Sequence, residues 1–163
     1  MLFDTHAHLN AAQFANDLDE TIYRAKEAGV EKIVVVGFDR PTIEKTMELI
    51  DKYDMIYGCI GWHPVDAIDC REEDLQWIEE LASHPKVVAI GETGLDYHWD
   101  KSPKEVQKEL FRKQIQLAKK LNMPLVIHNR DATEDTIAIL KEEHAEETGG
   151  IMHCFSGDVE QAK

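Results

Sequence analysis

Two hydrophobic rhythms alternate along the chain: short apolar runs rich in Val and Ile, and longer segments whose apolar positions recur three and four residues apart. Residues 2–8 read as a strand. Side chains two apart in a strand share a face, so Asp4, His6 and His8 are expected on one side and Phe3, Thr5 and Ala7 on the other. Asp17 and Glu20 predict a capping box for a helix carrying Leu18, Ile22 and Ala25, with Gly29 as its stop. Residues 32–36 form a β-branched run apolar on both faces, as a buried parallel strand requires.

The pattern then repeats. A helix starts at Pro41 and runs through Ile43, Met47 and Ile50, and a third strand occupies 55–61. Residues 72–82 carry Leu75, Ile78 and Leu81 on one stripe, and 86–92 is the fourth strand. Ser102, Pro103 and Glu105 supply a cap, an N1 proline and a returning carboxylate to a helix whose stripe is Val106, Leu110, Leu117 and Leu121. Asn122 and Pro124 end it. A fifth strand follows at 124–128, then a helix capped by Thr133 with Ile137 and Leu140, and a sixth strand at 151–153.

Six strand-then-helix units in series predict an α/β fold, a parallel sheet with helices outside it. No linker or low-complexity segment divides 1–163, so one domain is expected, and the acidic clusters at 72–74 and 142–143 read as solvated helix faces.

Composition narrows the function. The chain has 163 residues, 43% apolar and 31% charged, and a formal charge of -14. That field opposes nonspecific attraction to nucleic acid or anionic membrane. Cys59, Cys70 and Cys154 form no C-x-x-C pair, and no run reaches the roughly 18 apolar residues of a membrane span, so a cytoplasmic protein is expected.

Chemistry-bearing residues cluster by position. The predicted strands end in His6 and His8, in Gly61-Trp62-His63-Pro64, in Glu92, in His128 and in His153. Those ends share one rim, where a parallel barrel builds its active site. Five of the eight histidines lie there, while His84 and His144 fall on the surface and His98 sits in the loop after the fourth strand. Glu92 has apolar neighbours, and a buried carboxylate needs a cation. Histidine pairs bind a divalent ion such as Zn²⁺ at about 2.0–2.1 Å per nitrogen. Arg130, two residues past His128, is either a phosphate fork or a helix-start ion pair. Asp96 either orients a histidine or caps its loop, and Trp62, Tyr97 and Trp99 either stack on bases or pack under the loops.

The segments FDTHAHL at 3–9, GWHP at 61–64, GETGLDY at 91–97, IHNRDA at 127–132 and MHCFSG at 152–157 resemble the TatD family of metal-dependent deoxyribonucleases, which are amidohydrolase-like TIM barrels. The resemblance implies two divalent ions (Zn, Mn or Mg), with His6, His8 and Glu92 holding one, Glu92, His128 and His153 the other, and Glu92 bridging as the catalytic carboxylate. Two ions roughly 3.5–4 Å apart would activate a shared water. His63 would stand beside them, with Arg130 and Asp96 on the substrate side. The implied activity is 3'-5' exonuclease cleavage of single-stranded DNA ends, with no membrane or protein partner. A metal-dependent hydrolase of a small ester, amide or lactone, or a noncatalytic metal-binding scaffold, remains the alternative.

Family members run to about 250 residues. This chain ends at Lys163, within the expected sixth helix, so it should supply about six units of a (β/α)8 barrel. Strands seven and eight, with the T-D-x-P aspartate that resembles a metal ligand and general base, lie outside it. Two exposed sheet edges and a first ion site short of one ligand are the expected consequences.

Overall fold

The computed structural model describes residues 2–162. Six parallel strands form one sheet in chain order: β1 (Leu2–Ala7), β2 (Val30–Gly37), β3 (Ile56–Ile60), β4 (Val87–Asp96), β5 (Leu125–Arg130) and β6 (Gly150–Met152). The connecting helices are α1 (Leu18–Glu27), α2 (Arg40–Lys52), α3 (Glu72–Leu81), α4 (Lys104–Leu121) and α5 (Thr133–Glu142). The architecture is the expected α/β succession through β6, but no sixth helix forms among the described residues, where 159–162 are turns. β1 and β6 share no ladder, yet the rings of His6 and His153 stack with centroids 3.5 Å apart and planes within 7°. The sheet therefore curls until its two ends face each other, as six units of a barrel must.

Strands β2 to β5 divide their side chains between two layers. Ile33, Val35, Ile56, Ile60, Ile90, Leu125 and Ile127 join the main core against the helices. Val36, Cys59, Ala89 and Val126 form a second cluster on the concave face. The branched, bulky residues fill the wide gap under the helices, and smaller ones line the narrowing interior. β3 and β4 approach closely where glycines permit it, since a Cβ on Gly61 would lie 2.7 Å from the backbone of Gly91. The edges are open: Leu2 and Phe3 on β1 and Ile151 on β6 are exposed, each on a strand with a single neighbour.

Several local expectations change in tertiary context. The register between β1 and β2 shifts between Asp4 and Ala7, so strict alternation does not run through β1. Asp4 is exposed, and its carboxylate accepts the backbone N–H of His6 at 3.1 Å. Asp17 precedes α1 without capping it, because its carboxylate and that of Glu20 turn to Arg24. Ser102 does not cap α4. Its hydroxyl accepts the N–H of Ile68 and donates to the carbonyl of Val65, tying down the 3₁₀ turn Pro64–Asp69. Thr133 opens α5 one residue after its Ala132 cap. Asp74 is buried rather than solvated, paired with Arg40 and accepting the N–H of Arg71. The stripe of α4 shifts to Gln107, Leu110, Phe111, Gln114, Ile115, Leu117 and Ala118, because the sheet meets a broader face than its leucines mark. Among the described residues no helix is long and apolar enough to cross a membrane, and the cysteines are free.

A Gly61→Ala substitution should force β3 and β4 apart, costing about 1–3 kcal/mol. The midpoint of urea unfolding checks it, with Gly29→Ala as the comparison where a Cβ meets nothing within 4 Å but takes a φ of +88°.

Candidate metal centre

β4 makes the site. After a register shift against β3 between Val87 and Ala89, Ala89 faces the interior and Ile90 the helices. Gly91 is then opposite Val126 but Thr93 is opposite Ile127, which leaves Glu92 as an extra residue without a partner. Such a bulge re-aims a side chain. Alternation alone would send Glu92 toward the helices; the bulge turns it inward, and β4 continues past the expected end at Glu92 to Asp96.

The carboxylate of Glu92 is buried, with the residue 4% exposed. Its Oε1 lies 3.0 Å from His128 Nδ1 and its Oε2 3.5 Å from His6 Nε2. Burial alone would raise its pKa. The bonds to His128 and His6 overrule that and hold it well below the usual carboxylate range, so Glu92 is ionised at neutral pH.

His128 is held from both sides. Its Nε2 lies 2.9 Å from Asp96 Oδ2, and the other oxygen of Asp96 accepts the N–H groups of His98 at 2.9 Å and Trp99 at 3.1 Å. Asp96 thus caps its loop and orients the histidine at once. With Nε2–H donated to Asp96, His128 Nδ1 faces the Glu92 carboxylate and needs a proton or a cation there. Burial lowers its pKa, but Glu92 and Asp96 outweigh that and raise it.

His63, His8 and His153 are shifted toward the neutral form. Burial, with His128 nearby, lowers the pKa of His63 to about 4. Its Nδ1 accepts the N–H of Val65 at 3.2 Å, so the neutral ring carries its proton on Nε2. Spacing admits His63 to a ligand group, but that tautomer makes it a donor toward the cleft instead. Burial and His6 lower the pKa values of His8 and His153.

The donor set fits divalent cations. Ligating atoms of His6, Glu92 and His153 lie within 4.8 Å of one another, as do those of His63, Glu92 and His128. His6 Nε2 and His8 Nε2 stand 3.2 Å apart, and among the described residues His6 Nδ1 is buried without a hydrogen-bond partner. Two imidazoles nose to nose beside a carboxylate are satisfied by a shared cation. The structure brings His153 to His6, on which it stacks, rather than to His128.

The group opens into a cleft of about 850 Å³ also lined by Phe38, Asp96, Trp99 and Arg130. Arg130 is the only Lys or Arg among the described lining residues. Its guanidinium sits 5.8 Å from the ring centre of Trp99, which is exposed. Trp62 and Tyr97 are tied down, Trp62 by its Nε1–H to the carbonyl of Asp66 and Tyr97 by its hydroxyl to Asp135. His84 and His144 lie away from the cleft beside Asp51 and Glu146, and His98 pairs with Asp131. Sequence reading missed Gln107 and Gln114, both 1% exposed and bonded to the strand ends. Their signal was an i, i+7 pair of amides inside an apolar helix stripe.

An α/β barrel arc whose strand ends gather imidazoles around a buried carboxylate defines a class, the TIM-barrel proteins with a divalent-metal centre at the C-terminal rim. The chain belongs to the TatD related DNase family, whose profile matches residues 3–163. The uncharacterized metal-dependent hydrolase YabD of Bacillus subtilis (strain 168) is 70% identical over 163 residues, 100% of this chain and 64% of that protein. The 3'-5' ssDNA/RNA exonuclease TatD of Escherichia coli (strain K12) is 34% identical over 98% of this chain and 62% of its own length. The crystal structure of YJJV, a TatD homolog from Escherichia coli K12, matches with a TM-score of 0.91 and 31% identity, covering 99% of this chain and 62% of that one. The chain thus spans less than two thirds of the length of these relatives.

The lowered pKa of His63 sets a pH dependence in the metal-free protein. Between its ordinary 6.5 and about 4 the unfolded chain binds the proton and the folded one does not, so stability falls as pH falls through that window. His128, shifted upward, acts above 6.5 and adds nothing further below it. Urea unfolding at pH 6.5 and 4.5 should differ by on the order of 2 kcal/mol from this source, and His63→Asn should remove that part of the slope.

Proposed function

We propose that the protein carrying this chain is a divalent-metal-dependent phosphodiesterase that removes nucleotides from the 3' ends of single-stranded DNA. The observation that carries the reading is the convergence of His6, His128 and His153 on one ionised, buried carboxylate, in a cleft with a single guanidinium. Membership of the family and the name of the Escherichia coli relative support a nucleic-acid substrate.

His6, His8, Glu92, His128 and His153 would hold the ions, with His153 on the side of His6, on which it stacks. Bound divalent ions supply Lewis acidity and a water of lowered pKa. The chain's own groups do the rest. Glu92 stays ionised and fixes the centre, and Asp96 locks the orientation of His128. His63, neutral with its proton on Nε2, donates to a phosphate oxygen, and Arg130 offers a fork to a second one. An end-directed enzyme needs few phosphate contacts, which suits a chain of charge -14 better than a long basic groove would. Free thiols fit action in the cytoplasm.

The test is hydrolysis of a 5'-labelled single-stranded oligonucleotide by the intact protein beside lactone and amide panels. Stepwise shortening from the 3' end is expected, abolished by chelation and restored by Mn²⁺ or Zn²⁺. Glu92→Gln should lower kcat by at least about 10³-fold, and Arg130→Ala should raise KM by roughly 10-fold for a lost charged phosphate contact. Metal-dependent turnover of the lactone or amide panel alone would overturn the nuclease reading.

A further inference from the structure

The backbone ladder between β3 and β4 stops at Ile60 and Ile90. Beyond that point the two strands still have to deliver His63 and Glu92 to the same place. His63 is anchored on its other flank, where its N–H donates to the carbonyl of Phe38 at 2.9 Å. The side facing β4 has no strand partner. Gln114, on α4, fills it. Its Oε1 accepts the N–H of Trp62 at 2.7 Å, and its Nε2 donates to the carbonyl of Trp62 at 2.9 Å and to Thr93 Oγ1 at 2.7 Å.

That amide pairs with Trp62 as a neighbouring strand would, through one acceptor and one donor. Its second N–H reaches the residue next to Glu92. Every hydrogen of the amide is used, and the residue is 1% exposed. Two turns earlier, Gln107 repeats the device on Asp96, accepting its N–H at 2.8 Å and donating to its carbonyl at 2.9 Å. An apolar side chain would pack as well in that helix stripe, so the buried amide is explained by what it ties together.

We propose that Gln114 is a positioning residue: it splints the ends of β3 and β4 where their ladder has stopped, and so fixes the separation of His63 from Glu92. The catalytic part of this inference rests on the hydrolase reading above; the splint itself does not.

The experiment compares Gln114→Met, equal in length but unable to bond, with the intact wild-type protein. Phe111→Leu, on the same helix and fully buried, controls for lost stability. Three readouts are taken: amide hydrogen exchange at Trp62 relative to Cys59 in β3, Mn²⁺ affinity by calorimetry, and kcat against KM on the labelled oligonucleotide. Gln114→Met should speed Trp62 exchange by about 10-fold or more with Cys59 unchanged, weaken the Mn²⁺ affinity, and lower kcat on the order of 100-fold with little change in KM, as misplacement of a reacting geometry does. Phe111→Leu should do none of these once both proteins are compared while fully folded. Gln114→Glu, which keeps the acceptor and loses the donors, should restore part of the Trp62 protection, and it replaces the methionine variant if that fails to fold. Wild-type values in Gln114→Met, or equal losses in Phe111→Leu, would overturn the proposal. A wild-type protein that cleaves no oligonucleotide would instead count against the hydrolase reading, leaving exchange and Mn²⁺ affinity to decide the splint.

Discussion

A carboxylate removed from water must be met by positive charge or by hydrogen-bond donors, and most of this molecule's rim is arranged to meet one such group. Glu92 has His128 on one oxygen, from the neighbouring strand β5, and His6 on the other, from β1 at the far edge of the sheet. The ring stack of His6 on His153 shows how far the sheet must curl for that to happen. Curvature and charge compensation are therefore coupled. A flatter sheet would leave Glu92 with His128 and take His6 and His153 away from it.

The same demand explains why so many polar groups are buried near the strand ends. Asp96 is fully occupied by two backbone N–H groups and one imidazole, and it is in turn held by Gln107. Thr93, turned outward by the bulge, bonds to Gln114. Each group orients the next, so the imidazoles have few ways to rotate out of line. Rigid placement of this kind is what a metal centre needs from its surroundings.

The net charge of the chain opposes an anionic substrate, and Asp66, Glu92 and Asp96 oppose it within the cleft as well. The surface carries many Asp and Glu residues, several in ion pairs with Lys and Arg on the helices, as with Arg112 between Glu142 and Glu143. Against its own carboxylates the cleft sets Arg130 and the imidazole of His63, whose burial keeps it uncharged and donating. Divalent ions at the Glu92 centre would add positive charge to the cleft.

The sequence by itself determined the order and type of every strand and main helix, because strand and helix periods are local properties set by which faces are buried. It also located His6, His63, Glu92, His128 and His153 on one rim, since a residue's place at the end of a parallel strand follows from chain direction alone. Tertiary structure decided which of them meet. Whether Glu92 faces inward depends on one unpaired residue in β4, and which histidine His153 approaches depends on the curl of the whole sheet; neither is encoded in a window of neighbouring residues. The caps offered by Asp17 and Ser102 went to Arg24 and to the Val65–Ile68 turn for the same reason. The amides of Gln107 and Gln114 looked like interruptions of an apolar stripe until the strand ends they bind came into view. Local pattern fixes what a segment becomes, and long-range pairing fixes what its side chains touch.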